Sequence, residues 1–174
     1  MNNNWNKYLI QSYFPVIILC FIMAETKINT QGKIERATFG AGCFWCVEAF
    51  FECVEGVLEI SVGYTGGIIN NPTYKSVCSG LTGHAEVIQL SYDLEEVSYR
   101  EILIHFFQNH DPTTLNRQAN DIGTQYRSCI FYHTESQKQI AEELMVELNQ
   151  STFDQQIKTE LSNFVKFYMA EEYH

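Results

Sequence analysis

The stretch FGAGCFWCVEAFFECVEG, residues 39–56, holds three cysteines within eleven positions beside a tryptophan and four phenylalanines. Upstream, "RATFGAG" has strand character over residues 36–40, and the small residues 40–42 read as a tight turn. Downstream, Phe44, Val47, Phe51 and Val54 recur at spacings of three and four, which predicts a helix across residues 43–54. Cys43 therefore falls at a strand-to-helix turn, where helix N–H groups and the macrodipole favour a thiolate and are expected to lower its pKa. Cys43 and Cys46 stand in a C-x-x-C spacing. That spacing fits a metal site, a thioredoxin-like dithiol, or one reactive thiol with a bystander.

Working outward, "VLEISVGYTGG" reads as a strand to about Tyr64 that breaks at Gly66-Gly67, and residues 68–84 form a turn-rich loop with Tyr74 and Cys78. "AEVIQLSYD" alternates as a strand with Glu86 near its start. Ser98 with Glu101 makes a capping box ahead of the helix "YREILIHFFQNH". A polar loop over 111–127 precedes the strand "SCIFYH", the helix 134–150, a short strand at 157–162 and an aromatic-rich tail. The order predicts an α+β domain: a sheet with helices on one face and a site built by loops.

The chain of 174 residues suits one domain with its own core. Its formal charge of −10 lacks any basic stripe, so nucleic acid is not an expected partner. Residues 1–24 carry one charge, Lys7, and an apolar run from Tyr13 to Ala24 broken by Pro15. Such a run has the length of a signal-peptide core and falls short of the roughly 20 residues that span a bilayer. Export is expected if this leader functions, with the cytoplasm as the alternative, and a membrane is met only through an uncleaved leader. Residues 25–35 read as a linker, and 36–174 as the catalytic domain.

The chemistry-bearing residues form a set. Cys43 is the candidate nucleophile, and the small-residue turn before it leaves its sulfur open to a bulky partner. Phe44 and Trp45 are either core or the wall of an apolar pocket for a methyl group. Glu86 is a candidate general acid, since a carboxyl group in a partly apolar pocket has a raised pKa. Tyr74 and Tyr126 offer hydroxyl donors, and Asp121 lies in the same polar loop as Tyr126. A zinc site would need a second close-spaced ligand pair, which the sequence lacks, so no metal is expected. Thiol, acid and hydroxyl donors around an aromatic wall suit a sulfoxide, whose sulfur is attacked once its oxygen is hydrogen-bonded or protonated.

The ordered blocks "GCFWCVE", "GYTGG", "NPTYKSVCSGLTGHAEV", "NHDPT", "DIGTQYRS" and "AEEYH" resemble the peptide-methionine sulfoxide reductase A family, from about Thr38 to His174. The resemblance implies a ferredoxin-like α/β sandwich that reduces the S epimer of methionine sulfoxide, free or in proteins. It implies no metal or organic cofactor and thioredoxin or another dithiol as reductant, and a monomer is expected. By position Cys43 matches the family nucleophile and Glu86 the proton donor. Phe44 and Trp45 match the methyl pocket, Tyr74 and Tyr126 the hydroxyl donors, and Asp121 a polar residue holding substrate and water. Many members carry glycine in place of Cys46 and resolving cysteines in a tail beyond the final block. Here no cysteine follows Cys129. Cys46 is therefore the expected resolving thiol, and Cys53 is expected to pack. A thioredoxin-like dithiol oxidoreductase stands as the alternative.

Overall fold

The computed structural model describes residues 33–173, so the leader and most of the expected linker lie outside the described residues. The elements in chain order are β1 (Ile34–Gly40), α1 (Phe44–Phe51), β2 (Val57–Thr65), α2 (Tyr74–Cys78), β3 (Ala85–Asp93) and α3 (Tyr99–Gln108). A small hairpin of β4 (Arg117–Gln118) and β5 (Asp121–Ile122) and a 3-10 turn at Thr124–Tyr126 follow. The chain then forms β6 (Cys129–Tyr132), α4 (Glu135–Ser151), β7 (Glu160–Asn163) and β8 (Tyr168–Met169).

The main sheet runs β7-β6-β1-β3-β2-β8. β3 lies antiparallel between β1 and β2, and β6 lies antiparallel to β1 on its other side. Hence β1 runs parallel to β2, and β3 parallel to β6, each pair split by a strand of the other. α1 joins the first pair and α3 the second, which is the interleaved βαββαβ arrangement of ferredoxin-like folds. α4 leads on to β7, parallel to β6, and β8 closes the far edge against β2.

Strand alternation decides which side chains meet the helices. Ala37 and Phe39 of β1, Ile88, Leu90 and Tyr92 of β3, and Ile130 of β6 pack with Phe51, Ile102, Leu103, Phe106 and Leu144. Helices thus cover one face, as expected. Phe39 sits at its centre, 5.0 Å from the Phe106 ring and 6.0 Å from that of Phe51. The other face holds Ala85, Val87, Cys129 and Phe131 under Phe164 and Phe167 of the tail.

Four details differ from expectation. β1 begins at Ile34 rather than Arg36. α1 stops at Phe51 instead of reaching Val54, and a turn through Gly56 (φ 84°) follows. Cys53 consequently stands past the helix as an exposed thiol, 3.8 Å from the Ala49 carbonyl oxygen, and not as a packing residue. The two loops also hold regular structure, α2 and the β4–β5 hairpin, too short to produce a periodic pattern. The capping box of α3 forms as read, with Glu101 N donating to Ser98 Oγ at 3.3 Å and Ser98 N to Glu101 Oε2 at 2.8 Å.

Candidate active site

The site forms where β1 and β2 end and β3 begins. Tyr64 of β2 and Glu86 of β3 are register partners there. Glu86 shares strand parity with Ile88, Leu90 and Tyr92, so it points to the helix-covered side, under the first turn of α1. The chain reaches α1 through two glycines that admit no side chain. A Cβ on Gly40 would lie 2.6 Å from Cys129 Sγ and 2.9 Å from the Glu86 carbonyl oxygen. Gly42 is left-handed (φ 92°), and its Cβ would come within 2.7 Å of Gln118. The β4–β5 hairpin can lie against this turn only because Gly42 is bare.

Cys43 is the N-cap of α1, with φ −61° and ψ 119°, and its carbonyl accepts from the amides of Cys46 at 3.1 Å and Val47 at 3.3 Å. Its side chain is half-buried and that of Cys46 exposed. Burial raises the Cys43 pKa; the backbone N–H groups of Cys46 and Trp45 pull it down, but not enough to reverse the rise. The expected lowering by the helix start is therefore overturned: desolvation outweighs two donors. The Cys46 thiol, one turn along the helix, is near enough to that of Cys43 to add to the rise.

Glu86 is only 2% exposed. Its Oε2 accepts the Phe44 amide at 3.4 Å, while Oε1 is buried with no hydrogen-bond partner among the described residues. Burial pushes its pKa up to about 7, against the lowering pull of the Phe44 N–H, and the nearby charge of Asp121 adds to the rise. A carboxyl with that pKa is poised to exchange a proton near neutrality.

The rim brings the remaining expected residues together. α2 carries Tyr74, whose hydroxyl pKa is raised by the neighbouring Cys78 and by burial, and whose ring centroid lies 6.4 Å from that of Trp45. Tyr126, on the 3-10 turn, is half-buried, and its hydroxyl pKa is raised by burial and by the Glu86 charge. Asp121 stands opposite Gln118 in the hairpin. Phe44 and Trp45 part company: Phe44 is buried with Tyr64 and Val77, whereas Trp45 is 42% exposed over the site. Their rings remain 5.3 Å apart. Cys129 is a buried scaffold thiol, its pKa pushed by burial up to about 12. No cluster of three or more metal-ligating side chains occurs among the described residues.

Two residues in this neighbourhood had drawn no role from the sequence. Tyr64 Oη donates to Glu171 Oε2 at 3.0 Å, and the Tyr74 amide donates to Glu171 Oε1 at 2.8 Å. Both belong to blocks already singled out, "GYTGG" and "AEEYH". Only the contact between segments about a hundred positions apart reveals them.

Comparison with known proteins follows the same geometry. Residues 35–174 match the family described as peptide methionine sulfoxide reductase. The chain is 55% identical over 141 residues to peptide methionine sulfoxide reductase MsrA of Saccharolobus solfataricus, covering 81% of this chain and 79% of the relative. It resembles the crystal structure of Mxr1 from Saccharomyces cerevisiae in reduced form (TM-score 0.76, 36% identity), covering 81% of this chain and 82% of that one. Mxr1 in complex with Trx2 is also similar, with a TM-score of 0.60 at 27% identity over 80% of this chain and 82% of that one.

Proposed function

The chain belongs to the peptide methionine sulfoxide reductase family and is an oxidoreductase acting on methionine sulfoxide; from that premise we propose how its residues perform the reaction. The carrying observation is the buried Glu86 carboxyl, with a pKa of about 7, beneath the first turn of the helix that Cys43 caps. The substrate is the S epimer of methionine sulfoxide, free or in proteins. Its methyl group lies against Trp45 and the edge of Phe44, and its oxygen meets Glu86, Tyr74 and Tyr126, with Asp121 and the waters it orders nearby. Glu86 lends its proton to that oxygen and the Cys43 sulfur attacks the sulfoxide sulfur. The oxygen leaves on Cys43 as a sulfenic acid, methionine departs as the thioether, and the proton given up by the thiol returns to Glu86. This relay suits a cysteine whose raised pKa keeps it protonated at rest.

The Cys46 thiol then displaces hydroxide from the sulfenic sulfur, forming the Cys43–Cys46 disulfide and water. The influence of the Cys46 thiol on that of Cys43, across the first turn of α1, supports Cys46 over Cys53 and Cys78. A dithiol of the thioredoxin type reduces the disulfide, as the Trx2 complex of the similar Mxr1 suggests. Among the described residues no helix is long and apolar enough to cross a membrane. We read residues 1–24 as a leader for export, 25–33 as a linker, and the catalytic domain, a monomer, as starting with β1 at Ile34.

One turnover without reductant tests the scheme. One methionine per enzyme with a Cys43–Cys46 disulfide is expected, and Cys43→Ser yields none. Product from Cys43→Ser would overturn the reading in favour of the thioredoxin-like alternative or another site. A sulfenic acid persisting beside a free Cys46 would overturn the resolving step alone. Sequencing the N-terminus of the mature protein checks the leader: an intact Met1 would contradict cleavage.

A further inference from the structure

We propose that Glu171 is a positioning residue for the reduction step, holding α2 so that the Tyr74 hydroxyl meets the sulfoxide oxygen. The inference rests on the roles of Cys43 and Tyr74 given above. α2 has five residues, barely more than one turn, and is fixed at its start by the Thr73–Ser76 capping box. Helices so short are not stable by themselves and take their orientation from tertiary contacts. One of these contacts reaches the first residue of α2: Glu171 Oε1 accepts the Tyr74 amide at 2.8 Å, while Oε2 accepts Tyr64 Oη at 3.0 Å. Tyr64 is the register partner of Glu86. The carboxylate therefore ties the helix carrying one oxygen ligand to the strand facing the proton donor.

The tail is itself anchored where Glu171 leaves it. Tyr168 pairs with Tyr64 and Met169 with Gly63, and the Ala170 amide donates to the Val62 carbonyl at 3.0 Å. A second tail-to-loop bond runs in parallel, from Tyr168 Oη to Asn70 Oδ1 at 2.7 Å. Tyr173 lies near the same carboxylate. Charge-assisted bonds of this kind are stronger and more directional than neutral ones. The Tyr74 hydroxyl lies at the far end of its ring, so a small rotation of the α2 backbone displaces it well beyond hydrogen-bond tolerance.

The test is a double-mutant cycle on the rate of methionine formation in one turnover without reductant, run on Glu171→Gln, Tyr74→Phe and the pair. Glu171→Gln keeps the size and one acceptor, and is expected to slow the rate about tenfold, as for loss of a hydrogen bond to a charged group, with little change in KM. In the Tyr74→Phe background the same substitution should cost less than about twofold, because the hydroxyl it positions is gone. Full multiplication of the two losses, or an unchanged rate in Glu171→Gln, would overturn the proposal. A normal rate in Tyr74→Phe, with Cys43→Ser inactive, would overturn it while sparing the nucleophile. Activity in Cys43→Ser would instead sink the reading beneath it. Should Glu171→Gln fail to fold, Tyr64→Phe removes one of its bonds, and its loss must likewise vanish in Tyr74→Phe.

Discussion

Glu86 and His110 are titratable groups that flank the loop over residues 111–127, Glu86 buried beside Asp121 of the loop and His110 half-buried where its two ends meet. Burial pushes both toward neutrality, Glu86 up to about 7 and His110 down to about 4. Their hydrogen bonding differs. Both His110 ring nitrogens are engaged, one at 2.8 Å from the Phe106 carbonyl oxygen and the other at 2.7 Å from Ser128 Oγ, which in turn meets Thr159 at 2.8 Å. Glu86 has one oxygen bonded to an amide and the other buried without a partner among the described residues. A group with both nitrogens satisfied is scaffold, here pinning the residues on either side of the loop that carries Asp121 and Tyr126. A half-satisfied one beside a thiol has bonding capacity left for a substrate.

The largest effect that should separate the two is on rate. Glu86→Gln is expected to slow methionine formation by about 10²–10⁴-fold, the usual worth of a general acid, while His110→Asn changes the rate per folded molecule less than tenfold. A His110 variant as slow as Glu86→Gln would erase the distinction.

Stability should move the other way, by smaller amounts. The folded-state pKa of Glu86 exceeds its unfolded value, so the native state binds the extra proton between about 4.3 and 7, and stability falls as pH rises through that window. Above pH 7 the penalty is complete. Glu86→Gln removes it and should unfold at higher temperature at pH 8, by up to about 3 kcal/mol of stability, while the two proteins converge near pH 4. For His110 the lowered pKa means that the unfolded chain binds the proton first. Its native contribution is intact above about pH 6.5 and is lost as pH falls toward 4. His110→Asn should therefore flatten the acid side of the stability curve, and at pH 7 cost about 1–3 kcal/mol through the lost bonds to Ser128 Oγ and the Phe106 carbonyl. Denaturant titrations across pH read both slopes. Ser128→Ala, which breaks the network at its middle, should cost about 1 kcal/mol and leave the rate unchanged.

How much of this was visible in the sequence depends on how local its cause is. The strand–glycine turn–helix around Cys43 was legible, because the turn residues and the spacing of Phe44, Val47 and Phe51 lie within one window. Glu86 could be placed as an acid by its position at a strand start, although its facing came only from register with Tyr64. The pKa of Cys43 is not legible from the helix start, because the local sequence shows the N–H donors but not the burial that outweighs them. Cys53 was misplaced when α1 ended a turn early. Glu171 was invisible as a working residue because its partners, Tyr64 and Tyr74, are 107 and 97 positions away.

The account stands most directly on the pH profile of single-turnover methionine formation, compared between the unaltered protein and Glu86→Gln. The relay predicts a rate that declines as pH rises through about 7, where Glu86 loses its proton, and a Glu86→Gln profile that is far lower and lacks that decline. An unaltered rate and profile in Glu86→Gln would contradict it.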